Sequence, residues 1–126
     1  MSFSNAFETT VLTWAFTTGS ATRPTAWYLA LFTSNPAEDA SGTEVSGGGY
    51  ARQAATFTVS GNTASNSGAI EYPTATAGYG TVSHVGVFDA SSGGNLISYA
   101  ALTTSKTIDT GDVFRVPDGD LDITLD

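Results

Sequence analysis

The chain has 126 residues, no cysteine and a formal charge of −8, which excludes a disulfide framework and thiolate zinc sites. Its four basic residues, Arg23, Arg52, Lys106 and Arg115, are scattered, so the clustered cations that nucleic acid or an anionic membrane surface needs are missing. The length fits a single domain, 1–126, able to bury a core without metals, and no stretch approaches the roughly 20 apolar residues of a spanning helix. Met1–Asn5 lacks the basic n-region of a secretory signal.

A helical segment is expected over 1–19. Phe3, Phe7, Val11 and Trp14 fall at spacings of four, four and three, one helical face. Ser4 or Ser2 can cap its start, Glu8 suits the positive helix end, and Gly19 is a plausible stop. Arg23-Pro24 then forces an extended path, and from there to residue 126 the reading is β. In Trp27–Phe32 both alternating faces are apolar, which predicts a central strand covered on both sides, with the helix as the natural cover for one. Asn35-Pro36 ends it. Residues 33–49 form a long acidic loop, with Glu38, Asp39 and Glu44, of the length that is often functional or mobile.

Further strands are expected over Ala51–Val59, Ala69–Tyr72, Val82–Phe88, Leu96–Leu102, Lys106–Ile108, Val113–Val116 and Leu121–Asp126. In Val82–Phe88 the pattern puts Val85 and Val87 on one face and Val82, His84 and Phe88 on the other, with Gly86 marking a bulge or a close backbone approach. Turn signals recur roughly every 8–12 residues, the rhythm of an antiparallel sandwich or barrel. The predicted fold class is mainly β: an antiparallel β-sandwich or jelly-roll-like fold of about seven to eight strands over 25–126, with one N-terminal helix.

Catalytic chemistry is not written into the chain. His84 is the one histidine, and it alternates with apolar strand neighbours as a packed or interfacial residue does; no motif unites it with a nucleophile and a carboxylate. Asp118, Asp120 and Asp122 resemble the opening of a calcium loop, yet Ile123 stands where that loop needs glycine. Gly47-Gly48-Gly49 is followed by neither Lys-Ser/Thr nor a helix, so it is read as a tight backbone path and not a phosphate cradle. Glu38, Asp39 and Glu44 read as a solvated acidic loop before they read as glycosidase carboxylates. Arg52 can bridge to a carboxylate of a neighbouring subunit or pair within its own. The chain is therefore expected to be no enzyme and to need no cofactor or metal.

Several segments, taken in order, resemble a family of small virion structural proteins of tailed bacteriophages. They are Trp27–Thr33, the Gly-Thr-Glu-Val-Ser-Gly-Gly-x-Tyr-Ala-Arg-Gln run over Gly42–Gln53, the Asn-rich Asn62–Asn66, Ile70–Pro73, Gly80–Asp89, Gly93–Leu96 and Lys106–Asp112. Members look like head-decoration (cement) proteins, and many carry a tail-fibre label. The resemblance implies a capsid decoration protein on the outer surface of the head, assembled in the host cytoplasm. It would act as a homo-oligomer, expected to be a trimer, on the major capsid protein, with neither nucleic acid nor membrane as partner. A tail or tail-fibre component is the alternative. A carbohydrate-binding host-attachment module, using an exposed aromatic such as Tyr79, is the alternative of another class. Contacts between subunits are expected at Phe3, Phe7, Trp14, Tyr50, Arg52 and His84, because aromatics and arginine are enriched at interface centres.

Overall fold

The computed structural model describes residues 1–125; Asp126, the last residue of the expected final strand, lies outside them. The fold is mainly β, with ten antiparallel strands and a single helix among the described residues. Strand β1 (Ser2–Phe3) precedes helix α1 (Asn5–Phe16). Then come β2 (Tyr28–Phe32), β3 (Gln53–Ala54), β4 (Phe57–Ser60), β5 (Thr63–Asn66) and β6 (Ile70–Glu71). Strands β7 (Gly80–Phe88), β8 (Leu96–Ile108), β9 (Arg115–Val116) and β10 (Asp122–Thr124) complete the order. The large sheet runs β1-β8-β7-β2-β3; two smaller ones run β10-β5-β4 and β6-β9.

The main core joins the large sheet to the small ones. Leu29, Leu31, Val82, Val85, Val87 and Ile97 contribute from one side, and Ile70, Tyr72, Phe114 and Leu121 from the other. Tyr72 ties the layers covalently distant in sequence, its hydroxyl donating to the Leu29 carbonyl. A second, smaller cluster of Ala30, Phe32, Phe88 and Leu96 lies on the opposite face of the large sheet. The expectation that β2 is buried on both faces therefore holds: Leu29 to Phe32 are all buried.

The helix is not the cover of that second face. None of its residues is buried, and Phe7 packs against the main core instead. The reason lies at its start. Ser4 is buried; its hydroxyl donates to the Leu96 carbonyl and accepts from the Phe7 N–H, while its own N–H donates to the Ile97 carbonyl at 2.9 Å. Phe3 is strand, not helix, and pairs with Ser98. These bonds fix α1 to the start of β8. It ends at Phe16, three residues before Gly19, with Thr17 as its C-cap.

Four other expectations change. The two segments read as Leu96–Leu102 and Lys106–Ile108 are one strand, with an irregularity in which Val82 pairs with Lys106 and His84 with Ala101. There one residue of β7, Ser83, stands against four of β8, Leu102–Ser105, so the extra residues lie on β8, and Val82 falls on the core face with Val85 and Val87. Gly86 marks a close approach: a β-carbon there would stand 2.9 Å from Leu96 Cδ1 and 3.2 Å from Phe32 Cε2. Ala51–Val59 is broken into β3 and β4 around buried Ala55. Finally, loop 33–49 is tied down along its length. Thr33 N–H donates to Thr43 at 2.9 Å, Val45 N–H to Leu31 at 2.9 Å, and Pro36 and Val45 are buried. Its Gly47-Gly48-Gly49 all adopt positive φ, 63° to 79°, the tight path that only glycine takes without strain.

Candidate functional site

The expected contact residues separate into three places. Tyr50 and Arg52 form the first, with Glu44. The turn through Gly47–Gly49 brings Tyr50 back beneath β2, where its hydroxyl accepts from the Leu31 N–H at 3.0 Å and donates to Glu44 Oε2 at 2.6 Å. Its ring stacks on Tyr72 at 6.0 Å and meets Tyr79 edge-on at 5.7 Å. Burial, and then the bond to Glu44, push its phenol far above the ordinary value. Arg52 grips both Glu44 oxygens, Nε to Oε2 at 2.9 Å and Nη2 to Oε1 at 2.8 Å. Its Nη1 donates to the carbonyls of Ala90 and Gly93 at 3.0 and 2.8 Å. The guanidinium also lies over the Phe88 ring, 3.7 Å from its centroid. With a side chain 8 % exposed, Arg52 is spent inside its own subunit. It closes the β7–β8 turn onto the acidic loop and covers the second face of the large sheet, while the helix packs Phe7 against the main core on the other. What this cluster does is hold shape: a bidentate pair with a stacked cation locks three loop segments together.

Phe3, Phe7 and Trp14 form the second place. Phe3 and Phe7 meet edge-on with centroids 4.8 Å apart. Trp14 does not join them in the core; it is 71 % exposed, with Leu12 at 57 % and Phe16 at 81 %. A trough lined by Phe3, Phe7, Val11, Trp14, Pro24 and Leu125 runs along the helix. It continues over Trp27, Phe57 and Val59 towards β4 and β5. Leu12, Phe16, Val59 and Leu125 were missed as contact candidates. Leu12 and Phe16 had a signal, four apart on one helical face; Val59, within β4, and Leu125, just past β10, are single exposed positions. The patch carries little charge: Glu8 is the helix's acid, it has no base in its last turn, and Arg23 lines the trough.

His84 is the third. It is half-buried, paired across from Phe32 in β2, with Nδ1 2.8 Å from Ser83 Oγ in a shallow depression beside Met1, Asn35 and Tyr99. It touches neither of the other groups.

Three of the remaining chemical candidates are engaged in local structure. Asp118 accepts from the Gly68 N–H at 2.9 Å and Asp122 from the Ser65 hydroxyl, tying turns to sheets. Asp39 accepts from the Ser41 N–H at 3.1 Å, and hydrogen bonds from Ser41 hold its carboxyl below the ordinary value. Among the described residues no group of three His, Asp or Glu side chains is placed to hold a metal ion. Tyr79, the aromatic proposed for glycan contact, is buried in the core at 5 % exposure. No helix among the described residues is long and apolar enough to cross a membrane.

A family model described as Podophage GP4 fiber I protein gp80 matches residues 2–124. No curated protein matches the chain.

Proposed function

Because the chain belongs to the Podophage GP4 fiber I protein gp80 family, the virion structural proteins that its motif order resembles, we propose that it is a fibre-type component of the phage virion that acts mechanically and not as an enzyme. The observation that supports this reading is α1. It is apolar on several sides, carries one acid and buries none of its residues. A helix apolar all round is normally buried, and here self-association is what buries it. Covering Trp14 and Phe16 contributes about 2–3 kcal/mol each. On a chain with a formal charge of −8, the helix and trough are the surface where two copies can approach with least repulsion. Phe3, Phe7 and Trp14 stay in this contact with Leu12 and Phe16; Tyr50 and Arg52 serve it indirectly, by keeping each subunit rigid. A homotrimer, with helices meeting near its axis, is the assembly we favour.

The second reading is capsid decoration, in which the same oligomer bridges copies of the major capsid protein on the head. The motif order from Trp27 to Asp112 favours it. Gold-labelled antibody against the chain, applied to intact particles, separates the two. Label on the fibres supports the first, label on the head faces supports the second, and particles without label contradict both.

A further inference from the structure

Two of the chain's four basic residues line one groove. It lies between the second half of β8 and the segment Val113–Pro117, its near end at Leu102 about 17 Å along β8 from the helix contact at Ile97, at ~3.3 Å per residue. Leu102, Ile108, Phe114 and Val116 give it an apolar floor, and Lys106 and Arg115 stand on it. Neither cation has a carboxylate within salt-bridge distance among the described residues, where the ion pair found is Arg52–Glu44. Both walls are open strand edges. β1 covers β8 only at Ser98 and Tyr99, so among the described residues the outer edge of β8 beyond Tyr99 has no partner strand. β9 pairs on one side with β6 and, among the described residues, has no strand on the other. Unpaired edges flanking an apolar floor accept an added strand.

The same chain presents a strand that fits. β10 is the edge of its sheet, bonded on one side to β5. The Leu121 carbonyl and the Leu125 N–H face β5, bonding Asn66 and Asn62 at 3.1 and 2.9 Å. By ladder alternation the backbone groups of Asp122 and Thr124 point outward, unpaired. This edge carries exposed Asp120 and Asp122. Two such acidic edges repel each other, while an acidic edge and a basic slot attract. Asp120 also lines the slot, so its two cations are offset by one acid and its charge stays positive. We propose that the β8–β9 slot receives the acidic β10 edge of a second copy, a strand-to-strand contact separate from the helix contact. It rests on the self-associating role proposed above but uses none of the helix residues.

The test is a charge swap in full-length chain carrying Trp14→Ser and Phe16→Ser, followed by analytical ultracentrifugation at low salt. That background removes the helix contact, so any remaining association reads the slot. It should show mass rising with concentration and falling as salt is added. Adding Lys106→Glu and Arg115→Glu makes slot and edge both acidic; adding Asp120→Lys and Asp122→Lys makes both basic. Either change should weaken association roughly tenfold or more. An equimolar mixture of the two should restore it, because each then meets its opposite. A restored mass of two copies means a reciprocal pair, and a larger one means head-to-tail growth; both support the contact. A background chain that stays monomeric, single swaps that change nothing, or a mixture that does not recover overturns it. Thermal unfolding of each variant checks that it is folded. Loss of the helix contact with the swap intact, or the reverse, shows which of the two proposals has failed.

Discussion

Arg52 stacks its guanidinium 3.7 Å from the centre of the Phe88 ring, and so forms a lid on the second face of the sheet. The arrangement is costly to interrupt because the same group satisfies both Glu44 oxygens and two carbonyls of the β7–β8 turn. Arg52→Ala should destabilise the fold by about 3 kcal/mol, since it strands a partly buried carboxylate. Arg52→Lys should recover only part, having one point charge for a bidentate, stacked fork. Urea unfolding checks both; a loss below ~0.5 kcal/mol for the alanine variant contradicts the lid.

Gly86→Ala should cost about 1–3 kcal/mol, the range for an overfilled core. The added carbon would press on Leu96 and Phe32, both part of the small cluster beneath Arg52. An unchanged midpoint in the same unfolding experiment is the contrary result.

Ser4→Ala removes the helix cap and a buried bond to Leu96 together, so about 1–2 kcal/mol is expected. The readout that separates this from a general loss is hydrogen exchange. Protection should fall first in α1 and in β8 near Ile97, where Ser4 is anchored; uniform loss across the sheets would contradict the anchoring role.

Alkali should unfold the chain. Burial raises the phenols of Tyr50, Tyr72 and Tyr79 above the ordinary 10.0, helped at Tyr50 by its bond to Glu44. Each holds its proton more tightly folded than unfolded. Its contribution is therefore complete below pH ~10 and is lost as pH climbs towards the raised values. Over that window stability should fall by about 1.4 kcal/mol per pH unit for each phenol. Tyrosinate absorbance and circular dichroism recorded together check this: these three should ionise with unfolding, and ionisation within an intact fold would contradict it.

Much of the fold is legible in local pattern. The doubly apolar Leu29–Phe32 run marks a central strand, Ser4 is a cap, and the three glycines before Tyr50 mark a tight return. What local pattern hides is long-range. Phe3 lies four residues from Phe7 and so fits a helical face, yet its backbone pairs with Ser98 far along the chain. Thr63–Asn66 has no apolar alternation because its pairing with β4 and β10 makes it a strand. The register shift that sets Ser83 against Leu102–Ser105 goes with Val82 on the core face. In the candidate site, Tyr50 and Arg52 stand out in sequence as isolated polar-aromatic and basic positions. Their partners at Leu31, Ala90 and Gly93 are set by the fold, so an inward role could not be told from an outward one.

The central claim is that the exposed helix assembles the virion subunit. Native molecular mass at high salt, where the charge-dependent strand contact is screened, tests it most directly. The wild-type chain should be a discrete homo-oligomer and the Trp14→Ser, Phe16→Ser variant a folded monomer with an unchanged circular dichroism spectrum. A monomeric wild type, or a variant that keeps the wild-type mass, would contradict it.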